Sequence, residues 1–148
     1  MITLRPATLA DAEAIATLDH TAIHTAMPTV AWKHPLPEVI AYVAGHMLPG
    51  GGLTVAEAAG TIVGYTDTHD GWIYQLHVHP THWRRGIGSL LMAHAKAGSP
   101  TGLQLWCMQV NTRARAFYER HGFQIAEMTD GSRNEEREPD IRYEWQGA

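Results

Sequence analysis

The sequence contains a single cysteine, Cys107, among its 148 residues, so an intramolecular disulfide is excluded. It also lacks any apolar run approaching the ~20 residues that a membrane-spanning helix needs. Its first residues contain no basic segment followed by a long apolar core, so a secretory signal is not expected. These absences predict a cytoplasmic protein with no membrane partner.

Charged residues are scarce at 18%, whereas hydrophobic residues make up 45%, a composition that predicts a packed core rather than disorder. The length suits one domain spanning residues 1–148. The formal net charge of −4 argues against a nucleic-acid partner. Acidic residues are absent from 80–118, however, and that stretch holds five cations. This local excess favours a small anionic ligand.

Hydrophobic periodicity and turn residues predict the element order β-α-α-β-β-β-α-β-α-β-β. Such an order gives a mixed sheet with helices, which is an α+β fold class. The segment 21–37 contains three prolines and is expected to be a loop. The predicted strands are 1–5, 53–58, 61–68, 72–79, 103–110, 123–128 and 141–145. The predicted helices are 9–20, 38–48, 86–97 and 111–121.

The segment 78–91 carries the strongest functional signal, because a predicted strand is followed by a short basic loop and by a helix that opens on Gly86 and Gly88. Glycines let backbone N–H groups approach a ligand, and a helix N-terminus carries a positive partial charge. Arg84 and Arg85 add full charges, so the segment suits a phosphate. Taken alone, the pattern is equally typical of a tight turn with close helix packing. It matches neither a Walker loop nor a dinucleotide fingerprint.

A second segment begins at Asn111, which follows a predicted strand and leads a predicted helix. Ala114 and Tyr118 lie three and seven residues further on, so the three residues share one helical face. An asparagine at such a junction is usually an N-cap, and a helical tyrosine is usually part of the apolar packing. Cys107, in the middle of the preceding strand, is expected to be buried and inert.

Together these segments resemble the GNAT family of N-acetyltransferases, and the resemblance covers most of the chain. It implies a strongly twisted mixed sheet of about seven strands with about four helices. It also implies transfer of an acetyl group from acetyl-CoA to a primary amine of a small molecule, peptide or protein, by direct attack in a ternary complex. The matching stretches are Leu4-Arg5-Pro6-Ala7-Thr8, Val78-x-Pro80 with Gly86-x-Gly88, and Asn111-x-x-Ala114-x-x-Phe117-Tyr118-x-x-x-Gly122-Phe123.

The resemblance also implies roles for individual residues. In the family, the strand matching 72–79 diverges from the next strand, and the cofactor fills the gap. Tyr118 matches the tyrosine proposed to protonate the leaving thiolate, and Asn111 matches a position that contacts the pantetheine arm. A backbone N–H near Val78 would stabilise the oxyanion. The residues matching the pantetheine strand are Leu76, His77 and Val78, and those matching the pyrophosphate loop are Arg84, Arg85, Gly86, Ile87, Gly88 and Ser89.

The sequence departs from the family at two points. Trp83 stands where an arginine or glutamine is usual, which could change how the adenine end is held. The strands at 72–79 and 103–110 contain no carboxylate that could act as the general base. His77 or an ordered water could take that role, and it is at least equally reasonable that only the backbone of His77 matters. His77 and His79 have a spacing that metals can use, but no third ligand is evident, so no metal is predicted.

The acceptor pocket is implied to lie among the first two helices, their loop and the last strands. The candidate lining residues are His24, Met27, Trp32, His34 and Tyr42, together with the acidic loop 134–140. That loop could attract an ammonium group, although a solvated charged loop is the more ordinary interpretation. Two other functions stay open at this point: a non-catalytic acyl-CoA-binding sensor and, less favoured, a nucleic-acid binder using the arginines of 84–115. The resemblance is also compatible with a homodimer.

Overall fold

The computed structural model describes all 148 residues, Met1–Ala148, and its α+β architecture confirms the predicted class and element order. The strands are β1 (Ile2–Pro6), β2 (Leu53–Ala58), β3 (Thr61–His69), β4 (Trp72–Val78), β5 (Leu103–Met108), β6 (Gln124–Met128) and β7 (Asp140–Trp145). The helices are α1 (Ala12–Ala26), α2 (Leu36–Tyr42), α3 (Ile87–Gly98) and α4 (Thr112–Arg120). None of these helices combines the length and apolar character needed to cross a bilayer.

The seven strands form one mixed sheet in the order β1-β2-β3-β4-β5-β7-β6. Every neighbouring pair is antiparallel except β4 and β5, which run parallel. A parallel pair needs a crossover connection, and here α3 provides it. The sheet and its four helices agree with the architecture that the family resemblance implied.

Strands β4 and β5 are joined at only one position. Their register contains the single pair Trp72 and Gln104, and the Gln104 N–H donates to the carbonyl of Gly71 at 2.9 Å. Beyond this pair, toward Val78 and Met108, the two strands diverge. Along most of their length, the two strand edges that face each other therefore make no backbone hydrogen bonds to each other.

Helices cover both faces of the sheet, because successive side chains of a strand point to opposite sides. On β2, Val55 packs with α1 and α2, whereas its neighbour Ala56 packs with Ile87 and Leu91 of α3. A third cluster joins α3 and α4 to β5 and β7 around the fully buried Tyr143. The cleft described below lies where these clusters meet at the divergent strands.

The N-terminal region differs from the prediction in its boundaries. Pro6 does not stop β1 but is its last paired residue, opposite Thr54, because an edge strand tolerates a missing N–H. Asp11 accepts a hydrogen bond from the Thr8 N–H at 2.8 Å, as the capping pattern predicts. The turn it closes is 3-10, however, so the regular α-helix begins only at Ala12.

The first two helices also extend differently. Helix α1 continues through the expected loop as far as Ala26. The predicted helix 38–48 begins earlier, at Leu36, and changes at Val43 into a π-helical turn that ends at Met47. Pro35 and Pro37 lie at the start of α2, where a missing backbone N–H costs little. Counting proline as a helix breaker therefore misplaced this boundary.

Candidate active site

A cleft of about 1450 Å³ opens where β4 and β5 diverge, and it extends between α1, α2 and the starts of α3 and α4. Its size exceeds the roughly 300–1,000 Å³ of a typical small-ligand pocket, so it has room for two substrates at once. Arg85 is the one expected catalytic or cofactor-binding residue that does not line it. The ones that do are Leu76, His77, Val78, Arg84, Gly86, Ile87, Gly88, Ser89, Asn111 and Tyr118.

The loop before α3 has an unusual backbone at the edge of the cleft. Arg84 and Gly86 both have left-handed backbone angles, with φ of +63° and +82°, and Gly86 is the N-cap of α3. Ile87 is 1% exposed, and its side chain packs into the core rather than serving as a ligand contact. A Cβ on Gly88 would lie 3.1 Å from the Phe117 ring, which shows how closely α3 and α4 approach.

Trp83 connects this loop to its surroundings. Its indole Nε1–H donates to the carbonyl of Val78 at 2.8 Å, which holds the end of β4. Arg113, in the first turn of α4, lies over the indole ring. Burial, Arg84 and Arg120 lower the pKa of Arg113, because a neighbouring positive charge disfavours another. The end of the cleft beside the loop before α3 therefore carries several positive charges.

Arg113 was not singled out as a site residue by the sequence reasoning. It lines the cleft with Arg84 and Arg120, and none of the three forms an ion pair with a carboxylate of the protein. The available signal was the stretch 80–118, which is free of acids and in which Arg113 follows the predicted N-cap. Only the approach of α4 to the loop shows that this cation faces the same space.

Asn111 makes the capping contact that its position predicts. Its side-chain Oδ1 accepts from the Ala114 N–H at 3.1 Å, at the N-terminus of α4. The side-chain carbonyl is thus committed to the helix, as the ordinary interpretation of a junction asparagine expects. The amide nitrogen of Asn111 makes no hydrogen bond within the protein, and it lies in the wall of the cleft.

Tyr118 lies on the floor of the cleft among apolar and aromatic side chains. It is 8% exposed, and its ring centroid is 5.8 Å from that of Phe123 and 6.1 Å from that of Tyr143. Burial, and secondarily Cys107, raises the pKa of Tyr118, so the residue is a neutral phenol at physiological pH. Cys107 is itself buried, and burial raises the pKa of its thiol to about 12. The expectation that Cys107 is buried is confirmed.

A carboxylate absent from the strands reaches the cleft from α1. Asp19 Oδ1 lies 3.4 Å from His77 Nε2 and accepts a hydrogen bond from the Tyr65 hydroxyl at 2.6 Å. The sequence reasoning missed Asp19, although it lies four residues after Ile15 and three before Ala22, both buried. An acid on the apolar face of an amphipathic helix was the signal that could have identified it.

The two strand histidines do not converge. His77 Nε2 contacts Gln75 Oε1 at 2.8 Å as well as Asp19, whereas His79 Nδ1 contacts the Thr81 hydroxyl at 2.8 Å in the turn after β4. No group of three or more histidine, cysteine or acidic side chains in the structure is arranged to hold a metal ion.

The far end of the cleft is formed by α1, α2 and the loop before β7. Met27, Trp32, His34 and Tyr42 line it as expected. His24 does not line the cleft, because it turns away and stacks on His20, with ring centroids 4.1 Å apart. Trp32 Nε1 is buried without a hydrogen-bond partner.

Part of the acidic loop closes onto this end. Glu135 and Glu136 line the cleft, and His34 bridges Glu135 at 2.6 Å and Glu38 at 2.8 Å. These two carboxylates raise the pKa of His34. The loop is thus tied to α2 at Glu135, so describing it only as a solvated charged loop is incomplete.

The sequence of the chain can now be compared with known proteins. A family model described as an acetyltransferase (GNAT) domain matches residues 49–125, which include β2–β5, the loop before α3 and all of α4. The chain belongs to the GNAT acetyltransferase family. Its recognition as a GNAT protein and its prediction as an N-acetyltransferase enzyme are confirmed. No curated protein matches this GNAT protein by sequence.

Solved structures share the whole GNAT fold of the chain. Apo YjaB from Escherichia coli has 20% identity and a TM-score of 0.83, with 100% of this chain and 99% of that chain covered. The PaiA N-acetyltransferase of Thermoplasma acidophilum, in complex with coenzyme A, has 18% identity and a TM-score of 0.76, with 99% of both chains covered. The ribosomal-protein-S18-alanine N-acetyltransferase of E. coli has 18% identity and a TM-score of 0.73, with 100% and 95% covered.

Proposed function

We propose that this GNAT protein transfers the acetyl group of acetyl-CoA to a primary amine of a small molecule or peptide by direct attack in a ternary complex. The observation that carries the proposal is the cleft between β4 and β5, which has a cationic, glycine-bearing loop at one end and Tyr118 in its floor. One domain spanning residues 1–148 would perform the reaction.

The residues of the cleft fit the parts of acetyl-CoA. Unpaired edges of β4 and β5 offer backbone donors and acceptors to the amide-bearing pantetheine arm, along Leu76, His77 and Val78. The N-terminus of α3 and the loop from Arg84 to Ser89 suit the pyrophosphate. Arg113 and Arg120 add charges that no protein carboxylate neutralises. They would face the phosphate group of acetyl-CoA that is not part of the pyrophosphate. Arg85 is left out of this assignment.

The chemistry then needs one acid and one base. The neutral amine attacks the carbonyl carbon of the thioester, a backbone N–H near Val78 stabilises the oxyanion, and the C–S bond breaks as the new C–N bond is completed. Tyr118 gives its phenolic proton to the leaving thiolate and is reprotonated from water. A free thiol has a pKa of about 8.5, but the low-dielectric floor that raises the pKa of Tyr118 also raises that of a thiol placed beside it.

The base that we propose is the imidazole of His77, which lines the cleft on the side of α1. It would accept the proton that the nitrogen loses as the C–N bond forms. A water held by Gln75 is the alternative, since the Gln75 side chain lies within hydrogen-bond distance of His77 and also lines the cleft. Both arrangements leave the acid and the base on different walls of the cleft.

The acceptor would enter from the end formed by α1 and α2. Asp19, Glu38, Glu135 and Glu136 outnumber the cationic groups there, which are Lys33 and the His34 imidazole that bridges Glu38 and Glu135, so the entrance favours an ammonium group. The unpartnered Trp32 Nε1–H is a donor for a polar group of the acceptor. These features favour a basic amine over an acidic one.

The proposal is tested with calorimetry of acetyl-CoA binding and an assay of free-thiol release over a panel of amines. We expect binding of acetyl-CoA and thiol release that depends on the presence of at least one amine. Absence of binding by well-folded protein contradicts the cofactor assignment. Binding without turnover over a wide panel favours the non-catalytic sensor instead.

Two further assignments accompany the proposed function. A cytoplasmic location rests on the single cysteine and on the lack of a long apolar run in the sequence. A homodimer rests only on the family resemblance, and size-exclusion chromatography with light scattering tests it directly.

A further inference from the structure

His77 is held between two oxygen atoms that approach the same ring nitrogen. Nε2 lies 2.8 Å from Gln75 Oε1 and 3.4 Å from Asp19 Oδ1, while Nδ1 has no hydrogen-bond partner within the protein. The side chains of His77 and Asp19 are 19% and 15% exposed to solvent. Both therefore border the cleft without being freely solvated.

These contacts determine the tautomer of the imidazole. An ionised carboxylate can only accept hydrogen bonds, and so can the carbonyl oxygen of an amide. In a neutral imidazole the nitrogen that faces two acceptors must therefore carry the hydrogen. With the Gln75 amide oxygen and the Asp19 carboxylate both on the side of Nε2, the contacts favour the Nε2–H tautomer, which leaves the lone pair on Nδ1.

Asp19 is itself fixed from a different element. The Tyr65 hydroxyl on β3 donates to Asp19 Oδ1 at 2.6 Å, and Tyr65 is the direct cross-strand partner of His77. Tyr65 is 1% exposed, and burial and the Asp19 charge raise its pKa, so its hydroxyl stays a donor. Helix α1 and strands β3 and β4 thus meet at one carboxylate.

We propose that Asp19 is a positioning residue that holds His77 as the Nε2–H tautomer, so that Nδ1 accepts the proton released by the attacking amine. This inference rests on the proposed acetyl transfer and names the residue that makes its base competent. As the C–N bond forms, the amine proton passes to Nδ1. As the C–S bond breaks, the sulfur takes the electron pair and the Tyr118 proton. The imidazolium, stabilised by Asp19, then loses its proton to water.

The direct test is the tautomer of His77, read from ¹⁵N chemical shifts of the imidazole in labelled protein. We expect Nε2–H in the wild-type protein and a weaker preference for it in Asp19→Asn, because the new amide can also donate while Gln75 Oε1 still faces Nε2. A wild-type His77 in the Nδ1–H form overturns the inference, whether or not the protein turns over any amine. The measurement on the wild-type protein needs no variant, so its outcome does not depend on how a variant folds.

The kinetic test compares Asp19→Asn with Glu13→Gln, a neutralised carboxylate on the exposed side of the same helix. We expect Asp19→Asn to lower kcat by about 10–100-fold, part of what a general base contributes. The KM for acetyl-CoA and the thermal midpoint should stay close to wild type, and Glu13→Gln should leave all three unchanged. A kcat within twofold of wild type in Asp19→Asn overturns the inference. Failure of the wild-type protein to bind acetyl-CoA overturns the proposed function instead.

Discussion

The guanidinium of Arg113 lies over the indole ring of Trp83, with Cζ 3.8 Å from the ring centroid. The stack joins the first turn of α4 to the loop before α3, across the cationic end of the cleft. Because the same indole donates to the Val78 carbonyl, one side chain orients both the end of β4 and a positive charge. The tryptophan at this unusual position thus supports the cleft.

The stack predicts a hierarchy among the arginines. Arg113→Ala should weaken acetyl-CoA binding by about 10–100-fold, because a charge-assisted hydrogen bond contributes about 1.5–3 kcal/mol. Arg85→Ala, which removes an equal charge outside the cleft, should weaken it by less than about threefold, in line with an exposed interaction. Calorimetry at fixed ionic strength measures both. Equal losses in the two variants would show that only the overall charge of the loop matters.

Tyr118→Phe isolates the phenolic proton, since the ring still fills its place beside Phe123 and Tyr143. We expect kcat to fall by about 100-fold or more, because general acid catalysis contributes about 10²–10⁴-fold. The dissociation constant of acetyl-CoA should stay within about threefold of wild type. Unchanged turnover in the variant would remove Tyr118 from the acid role.

Gly86 tests the backbone of the phosphate loop. There is open space for a Cβ, but φ is +82°, so alanine is strained by about 1–2 kcal/mol. Gly86→Ala should therefore relax the loop and weaken acetyl-CoA binding by about 10-fold. Gly86→Asn is the matched control, because asparagine tolerates the left-handed region and should lose less. If Gly86→Asn loses more than Gly86→Ala, side-chain bulk rather than backbone conformation controls the loop.

Arg5 and Asp11 form a bidentate pair at 2.8 and 2.9 Å that fastens β1 to the start of α1. The Arg5 guanidinium holds the pKa of Asp11 at about 2, below its value near 3.8 in an unfolded chain. Stability from the ionised carboxylate is therefore present above pH 4 and is lost as the pH falls through about 2. Asp11→Asn should cost about 1–2 kcal/mol of unfolding free energy at pH 7.

Urea unfolding of both proteins across this pH range checks the Asp11 prediction. The difference between wild type and Asp11→Asn should shrink as the pH approaches 2, because protonation removes the charge that the variant lacks. A difference that stays constant over the whole range would show that packing, and not ionisation, is responsible.

Local sequence patterns predicted most of the fold because strands and tight turns leave short-range signals. The hairpin of β2 and β3 follows from two strand-forming segments joined by a tight turn at Ala59-Gly60, and Gly60 has the positive φ that such a turn requires. The boundaries of α1 and α2 were less accurate. The prolines of α2 lie at its start, and the packing of α1 against β3 and β4 stabilises that helix beyond what propensity indicates.

The site residues likewise divide into those that local sequence motifs identify and those that only the folded structure brings together. Positions on the two family motifs could be named from sequence, because the chain itself places them one after another. Asp19 and Arg113 carried only indirect signals, since their relevance arises when α1 and α4 approach β4 and its loop in space. The exclusion of Arg85 from the cleft is likewise a property of the folded loop, in which the preceding Arg84 has a positive φ.

The single backbone pair between Trp72 and Gln104 divides the sheet into a four-stranded and a three-stranded half. Past that pair, the two halves are held together by side chains and helices rather than by a continuous hydrogen-bond ladder. A molecule that pairs with both free edges completes the ladder and binds only the folded state, so it stabilises the protein by mass action. The molecule that occupies the gap would then stabilise the fold of the enzyme as well as take part in its reaction.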